Sequence, residues 1–77
     1  MNALEKITEM IRNHLGNKEL VLTEDTDFVD DLKLSSLDMI TLGGEVEDAF
    51  GIEIDDEMFS GIHTVGDLVR CLPADRQ

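Results

Sequence analysis

Three runs of this chain repeat apolar residues at helical spacing, and each lies between a start signal and a stop signal. In the first, Leu4, Ile7, Ile11 and Leu15 fall at i, i+3, i+7 and i+11. Asn2 can cap its start and Gly16 can end it, which predicts a helix over Ala3 to Leu15. The second run covers Ser36 to Phe50. Met39, Leu42, Val46, Ala49 and Phe50 cluster within about 100° of arc, wide enough for a core stripe. Ser35 is a good N-cap, Asp38 stands where a capping-box acid belongs, and Leu34 and Met39 occupy the positions of a hydrophobic staple. Gly51 follows as a stop. The third run begins after Thr64, with Asp67 as its capping-box acid. Val65, Leu68, Val69 and Leu72 form its stripe and Pro73 ends it. Between the second and third runs, Asp55 or Asp56 can cap a short turn through Met58, Phe59 and Ser60, closed by Gly61. Ile52-Glu53-Ile54 alternates, but it is too short for a sheet and reads as an extended connector. The expected fold is all-α, a compact four-helix bundle with three longer helices and a short third one.

The first connection, Asn17 to Leu34, has no sustained period. A loop of this length without structure is uncommon unless it is functional. Leu20, Val21, Leu22, Phe28, Val29, Leu32 and Leu34 are apolar and are expected to pin it to the core. Its acids, Glu24, Asp25, Asp27, Asp30 and Asp31, raise the question of calcium. An EF-hand loop starting at Asp25 would need an oxygen ligand at its fifth position and glycine at its sixth. Val29 and Asp30 stand there instead, so the motif fails.

A chain of 77 residues makes one domain, spanning 1–77, with a small core and no room for a deep, walled active site. The core must be aliphatic, because there are three Phe and no Trp or Tyr. Eighteen acidic residues face six basic ones, and from Leu34 to Val69 there are nine acids and no Lys or Arg. Such a surface repels nucleic acid and anionic membranes and suits partners with basic patches. The single cysteine, Cys71, excludes an internal disulfide, and no Cys/His cluster has zinc spacing. No N-terminal apolar run of signal-peptide length and no membrane-spanning run occurs, so no membrane insertion and a cytoplasmic location are expected.

The most informative stretch is Asp30-Asp31-Leu32-Lys33-Leu34-Ser35-Ser36-Leu37-Asp38, where the acidic loop meets the second helix. Nucleophilic catalysis by a serine needs an adjacent base. The two histidines, His14 and His63, lie far off in sequence at helix ends, and His14 reads as a boundary residue of the first stripe. A serine in the first helical turn is, however, well placed to hold a phosphate ester, because free N–H groups and the positive end of the helix dipole favour an anion there. Two additions fit. One is phosphorylation, since Ser35 has an acid three residues on, and the chain would then be an acidic helical interaction module switched at Ser35 or Ser36. The other is a phosphate-linked prosthetic arm.

The second helix also carries apolar points away from its core stripe. Leu37, Ile40 and Gly44 lie opposite it, beside Asp38, Thr41, Glu47 and Asp48. An oily centre with a charged rim suits a partner surface. The alternative is that Leu37 and Ile40 are covered by a neighbouring loop or short helix. Gly43-Gly44 in the helix interior disfavour it by roughly 2 kcal/mol relative to two alanines.

Taken together, Phe28-Val29-Asp30-Asp31-Leu32, Ser36-Leu37-Asp38, then Leu42, Glu45, Glu47 and Phe50, Ile52-Glu53-Ile54 and Thr64-Val65-Gly66-Asp67-Leu68 resemble an acyl carrier protein over nearly the whole chain. The resemblance implies that Ser36 takes a 4′-phosphopantetheine arm from coenzyme A, installed by a phosphopantetheinyl transferase. Acyl groups would then ride as thioesters on the arm's thiol to acyl-transferring and chain-elongating enzymes of fatty-acid or related synthesis. Such a carrier is a monomer and not an enzyme. Its docking surface would map to Leu37, Asp38, Ile40, Glu45, Glu47 and Asp48. The family's Gly-x-Asp-Ser-Leu reads here as Lys33-Leu34-Ser35-Ser36-Leu37, Thr41 stands where an acid is common, Gly43-Gly44 replace bulkier apolar residues, and Asp55 takes a usual proline position. These departures point to a carrier dedicated to a polyketide-like or modified-lipid pathway as the alternative to a general fatty-acid role.

Overall fold

The computed structural model describes residues 1–77 and contains helices α1 (Ala3–Leu15), α2 (Ser36–Phe50), α3 (Asp56–Ser60) and α4 (Val65–Cys71), followed by a 3₁₀ turn over Ala74–Arg76. The expected boundaries of α1 and α2 hold, because the caps that announce them are made. Asn2 and Ser35 each accept the N–H three residues on and form reciprocal capping boxes, and Gly16 and Gly51 close the helices in the left-handed region. Asp55, rather than Asp56, caps α3, and Thr64 caps α4 with Asp67 completing the box. The closing 3₁₀ turn has no apolar period of its own. It brings the Gln77 carbonyl to the Ala3 N–H at 2.9 Å.

The core lies where α1, α2 and α4 converge. Ala3, Ile7 and Ile11 face Leu42, Val46 and Phe50 from α2 and Val65, Leu68 and Leu72 from the α4 segment. Each fully buried aliphatic side chain contributes about 1.5–3 kcal/mol relative to exposure, so a thirteen-residue cluster holds the bundle together. Leu15 and Ala49 do not join it. They sit on the expected stripes but past the edge of the packed region, and both are exposed.

The long first loop is pinned, though by fewer residues than its composition suggests. Leu22, Phe28 and Leu34 are buried and Leu20 and Leu32 are half-buried, whereas Val21 and Val29 are exposed. Val21 lies between Leu20 and Leu22, which face the core, and its own side chain points out. Asp27 then turns the chain by accepting the N–H groups of Val29 and Asp30 at 2.9 and 2.8 Å, which sends Phe28 inward and Val29 outward. The loop also docks on the start of α4. Val65 and Gly66 donate to the Thr26 and Glu24 carbonyls, and Phe28 donates to the His63 carbonyl. Gly66 is required at this crossing, because a Cβ there would stand 2.9 Å from the Glu24 carbonyl oxygen.

Candidate prosthetic-group site

Ser36 is the first residue of α2 and is exposed. The loop places it there through two turns. Lys33 adopts φ +57°, a left-handed conformation rare outside glycine, and this reverses the chain so that Leu34 drops into the core and Ser35 reaches the cap position. The position at which the family carries glycine is thus one whose backbone favours glycine.

Ser35 and Asp38 form a closed knot beneath Ser36. The Ser35 hydroxyl accepts the Asp38 N–H at 3.1 Å and lies 2.9 Å from Asp38 Oδ2, which also accepts the Ser35 N–H at 2.9 Å. From the end of α1, His14 Nε2 reaches Asp38 Oδ1 at 2.9 Å. The Ser35 N–H, the His14 ring and the Ser35 hydroxyl together hold the Asp38 carboxyl down at about 2 from 3.8. Asp38 is therefore a fixed carboxylate and His14 is engaged with it, so neither serves Ser36 as a base. The Asp38 N–H is taken by the cap, and the N–H groups of Ser36 and Leu37, which have no helical acceptor, stay available to an anion on Ser36. Both serines are exposed, but the Ser35 hydroxyl is committed as cap, which leaves that of Ser36 as the unengaged one.

The residues expected to form a docking surface separate into two kinds. Leu37 and Ile40 are 72% and 62% exposed, so no loop of this chain covers them. Glu45 and Asp48 are exposed and take part in no ion pair. Asp38 and Glu47 are half-buried and used within the fold, Asp38 in the knot and Glu47 by accepting the Ile54 N–H at 2.8 Å.

Two spaces lie beside the site. A cavity of about 20 Å³ sits in the core, lined by eleven apolar side chains and Gly43. A groove of about 280 Å³ lies on the surface between α2 and α3, lined by Ile40, Gly43, Gly44, Glu47, Ile54, Asp56 and Phe59. Gly43, Ile54 and Phe59 border both. No three His, Cys, Asp or Glu side chains converge on a possible metal position. Cys71 is half-buried, and burial pushes its thiol pKa up, so it stays protonated. Sequence spacing could not have found the His14–Asp38 contact, which joins residues 24 apart on two helices.

A family described as "Phosphopantetheine attachment site" matches residues 5–72. A solved structure from Mycobacterium tuberculosis, described as an acyl carrier protein, superposes with a TM-score of 0.80 at 34% identity, over 87% of this chain and 89% of that one. The family's group is 4′-phosphopantetheine, bound covalently, and the residues present fit it. An exposed serine opens a capped helix, and beside it runs a groove that a Cβ on either glycine would begin to fill. Its members serve as carriers that meet a phosphopantetheinyl transferase and acyl-handling enzymes. With the match spanning most of the chain and the helices, caps and exposed serine in place, this chain belongs to the phosphopantetheine-attachment family of acyl carrier proteins.

Proposed function

We propose that the chain is a single-domain, monomeric cytoplasmic carrier. Its arm is attached to Ser36, and it delivers acyl thioesters to enzymes of fatty-acid or related synthesis. One observation carries the choice of residue. Of the two adjacent exposed serines, Ser35 has its hydroxyl locked into the Asp38 knot, whereas the Ser36 hydroxyl at the helix mouth is engaged with no other group. The arm's phosphate is then met by the free N–H groups of the first turn. The chain itself performs no bond chemistry, since no base faces Ser36. Incubation with coenzyme A and a promiscuous phosphopantetheinyl transferase should add the mass of one phosphopantetheine group. Ser36→Ala should abolish the gain and Ser35→Ala should leave it. A gain that survives Ser36→Ala would overturn the assignment.

Partner enzymes would dock basic patches against Glu45 and Asp48, with Leu37 and Ile40 at the centre of the contact. Two features favour a carrier dedicated to a specialised pathway: the groove opened by Gly43-Gly44 and a docking face one acid short at Thr41.

A further inference from the structure

We infer that His14 is a positioning residue for the loading of Ser36. Through Asp38 its imidazole fixes the first turn of α2 against the end of α1, and so sets where the Ser36 hydroxyl stands toward an incoming transferase. This rests on attachment at Ser36.

The knot under Ser36 is closed but local. Its bonds, made by the Ser35 hydroxyl, the Ser35 N–H and the Asp38 N–H, join Ser35 to Asp38 and to nothing else. They shape the turn, but they cannot orient it relative to the rest of the molecule. Leu34 and Met39 anchor its two sides by apolar contact, which is non-directional. The His14 contact is different in kind. It is the one side-chain hydrogen bond that reaches residues 35–39 from another helix, and it takes the remaining oxygen of Asp38, Oδ1, at 2.9 Å. An ionised carboxylate only accepts, so the imidazole donates through Nε2. The chain offers no short tether in its place, since Gly16 to Ser35 run between the two helices.

Geometry sets the role. At 3.6 residues per turn, Asp38 stands about 200° around α2 from Ser36. Side chains two apart on a helix do not face each other, so the imidazole lies across the helix from the reacting hydroxyl and acts on it only through Asp38. Without the His14 N–H, Oδ1 has no protein partner, and the carboxylate is free to swing toward water with the turn that carries it. A transferase that docks on Leu37, Ile40, Glu45 and Asp48 would still find its surface. It would meet a serine spread over several orientations. Such a loss falls on the rate of the bound complex rather than on docking.

Three variants of the full chain separate donor from bulk. His14→Phe keeps a ring in this largely covered place and removes the donor. His14→Gln restores an N–H near the position of Nε2. Asp38→Ala removes the link through which His14 acts. With coenzyme A and a phosphopantetheinyl transferase, and well below each variant's thermal midpoint, His14→Phe should lower kcat for arm attachment about tenfold and leave KM for the carrier within about twofold. His14→Gln should recover most of the rate. In an Asp38→Ala background, His14→Phe should cost nothing further. In amide spectra of the chain without the arm, the Ser36 and Leu37 resonances should shift in His14→Phe and return in His14→Gln, while those of Leu42 to Phe50 stay in place. A lowered midpoint with kcat unchanged, a loss in KM alone, or a His14→Phe effect that persists without Asp38 would overturn the positioning role and leave the carrier function standing. Failure of the native chain to gain the arm at Ser36 would overturn both.

Discussion

Lys33 is the residue at which this chain pays most visibly for its geometry. A left-handed conformation disfavours a residue with a Cβ by roughly 1–2 kcal/mol, and glycine relieves this while giving some back through the freer unfolded chain. Lys33→Gly should therefore stabilise the protein by about 0.5–1 kcal/mol in urea unfolding and leave the amide spectrum of α2 unchanged. Asp38 has the opposite sign of consequence. Its folded pKa, about 2, lies below its ordinary 3.8. The stability it contributes is thus present above pH 4 and is lost as pH falls toward 2. Asp67 follows the same course, held to about 2 by the N–H groups of His63 and Thr64 and by Arg70. Urea midpoints measured from pH 6 to pH 2.5 should fall steeply, and Asp38→Asn should flatten part of that fall. Equal slopes in the two proteins would mean that the knot under Ser36 is not closed in solution. Ser35 and Asp38 were readable as a capping pair because both partners lie in one turn. His14 was readable only as the end of a stripe, since its partner comes from another helix.

At the scale of elements, the sequence marked where each helix starts and stops more surely than it marked what the loop does. Asn2, Ser35 and Thr64 are local signals, satisfied by atoms within three residues, so they survive whatever the rest of the chain does. The burial of Phe28 and the exposure of Val29 depend on the Asp27 turn and on where α4 lies. Composition treats the two residues alike. Gly66 shows the same limit. It belongs to the resemblance, but only the crossing of the loop over α4 gives the reason, a carbonyl 2.9 Å from its missing Cβ. Because that atom is backbone, it cannot move aside cheaply. Gly66→Ala should destabilise the protein by about 1–3 kcal/mol, as overpacking does. The loss should appear in thermal unfolding together with a loosened loop, seen as faster amide exchange at Val65 and Phe28.

The molecule as a whole bears a charge of −12, and from Leu34 to Val69 its nine acids have no Lys or Arg among them. Electrostatic complementarity acts chiefly on the rate of encounter and weakens as salt screens it, over about 10 Å at 0.1 M. Glu45→Lys with Asp48→Lys should slow arm attachment by a transferase that reads this face and flatten the salt dependence of that rate. The unfolding midpoint should change little, since both side chains are exposed and unpaired. A rate and salt profile equal to the native ones would move the docking surface elsewhere.

Helix α3 has five residues, none of them buried, and is anchored by the half-buried rings and chains of Met58 and Phe59. Proteins open locally where burial is least, well before they unfold globally. In this chain the least anchored of the four α-helices is also a wall shared by the surface groove and the core. Opening that wall requires melting little more than one turn, while α1, α2 and α4 stay packed. The molecule can thus stay rigid over α1, α2 and α4 while it yields at α3, and the compliance is localised in a single short segment.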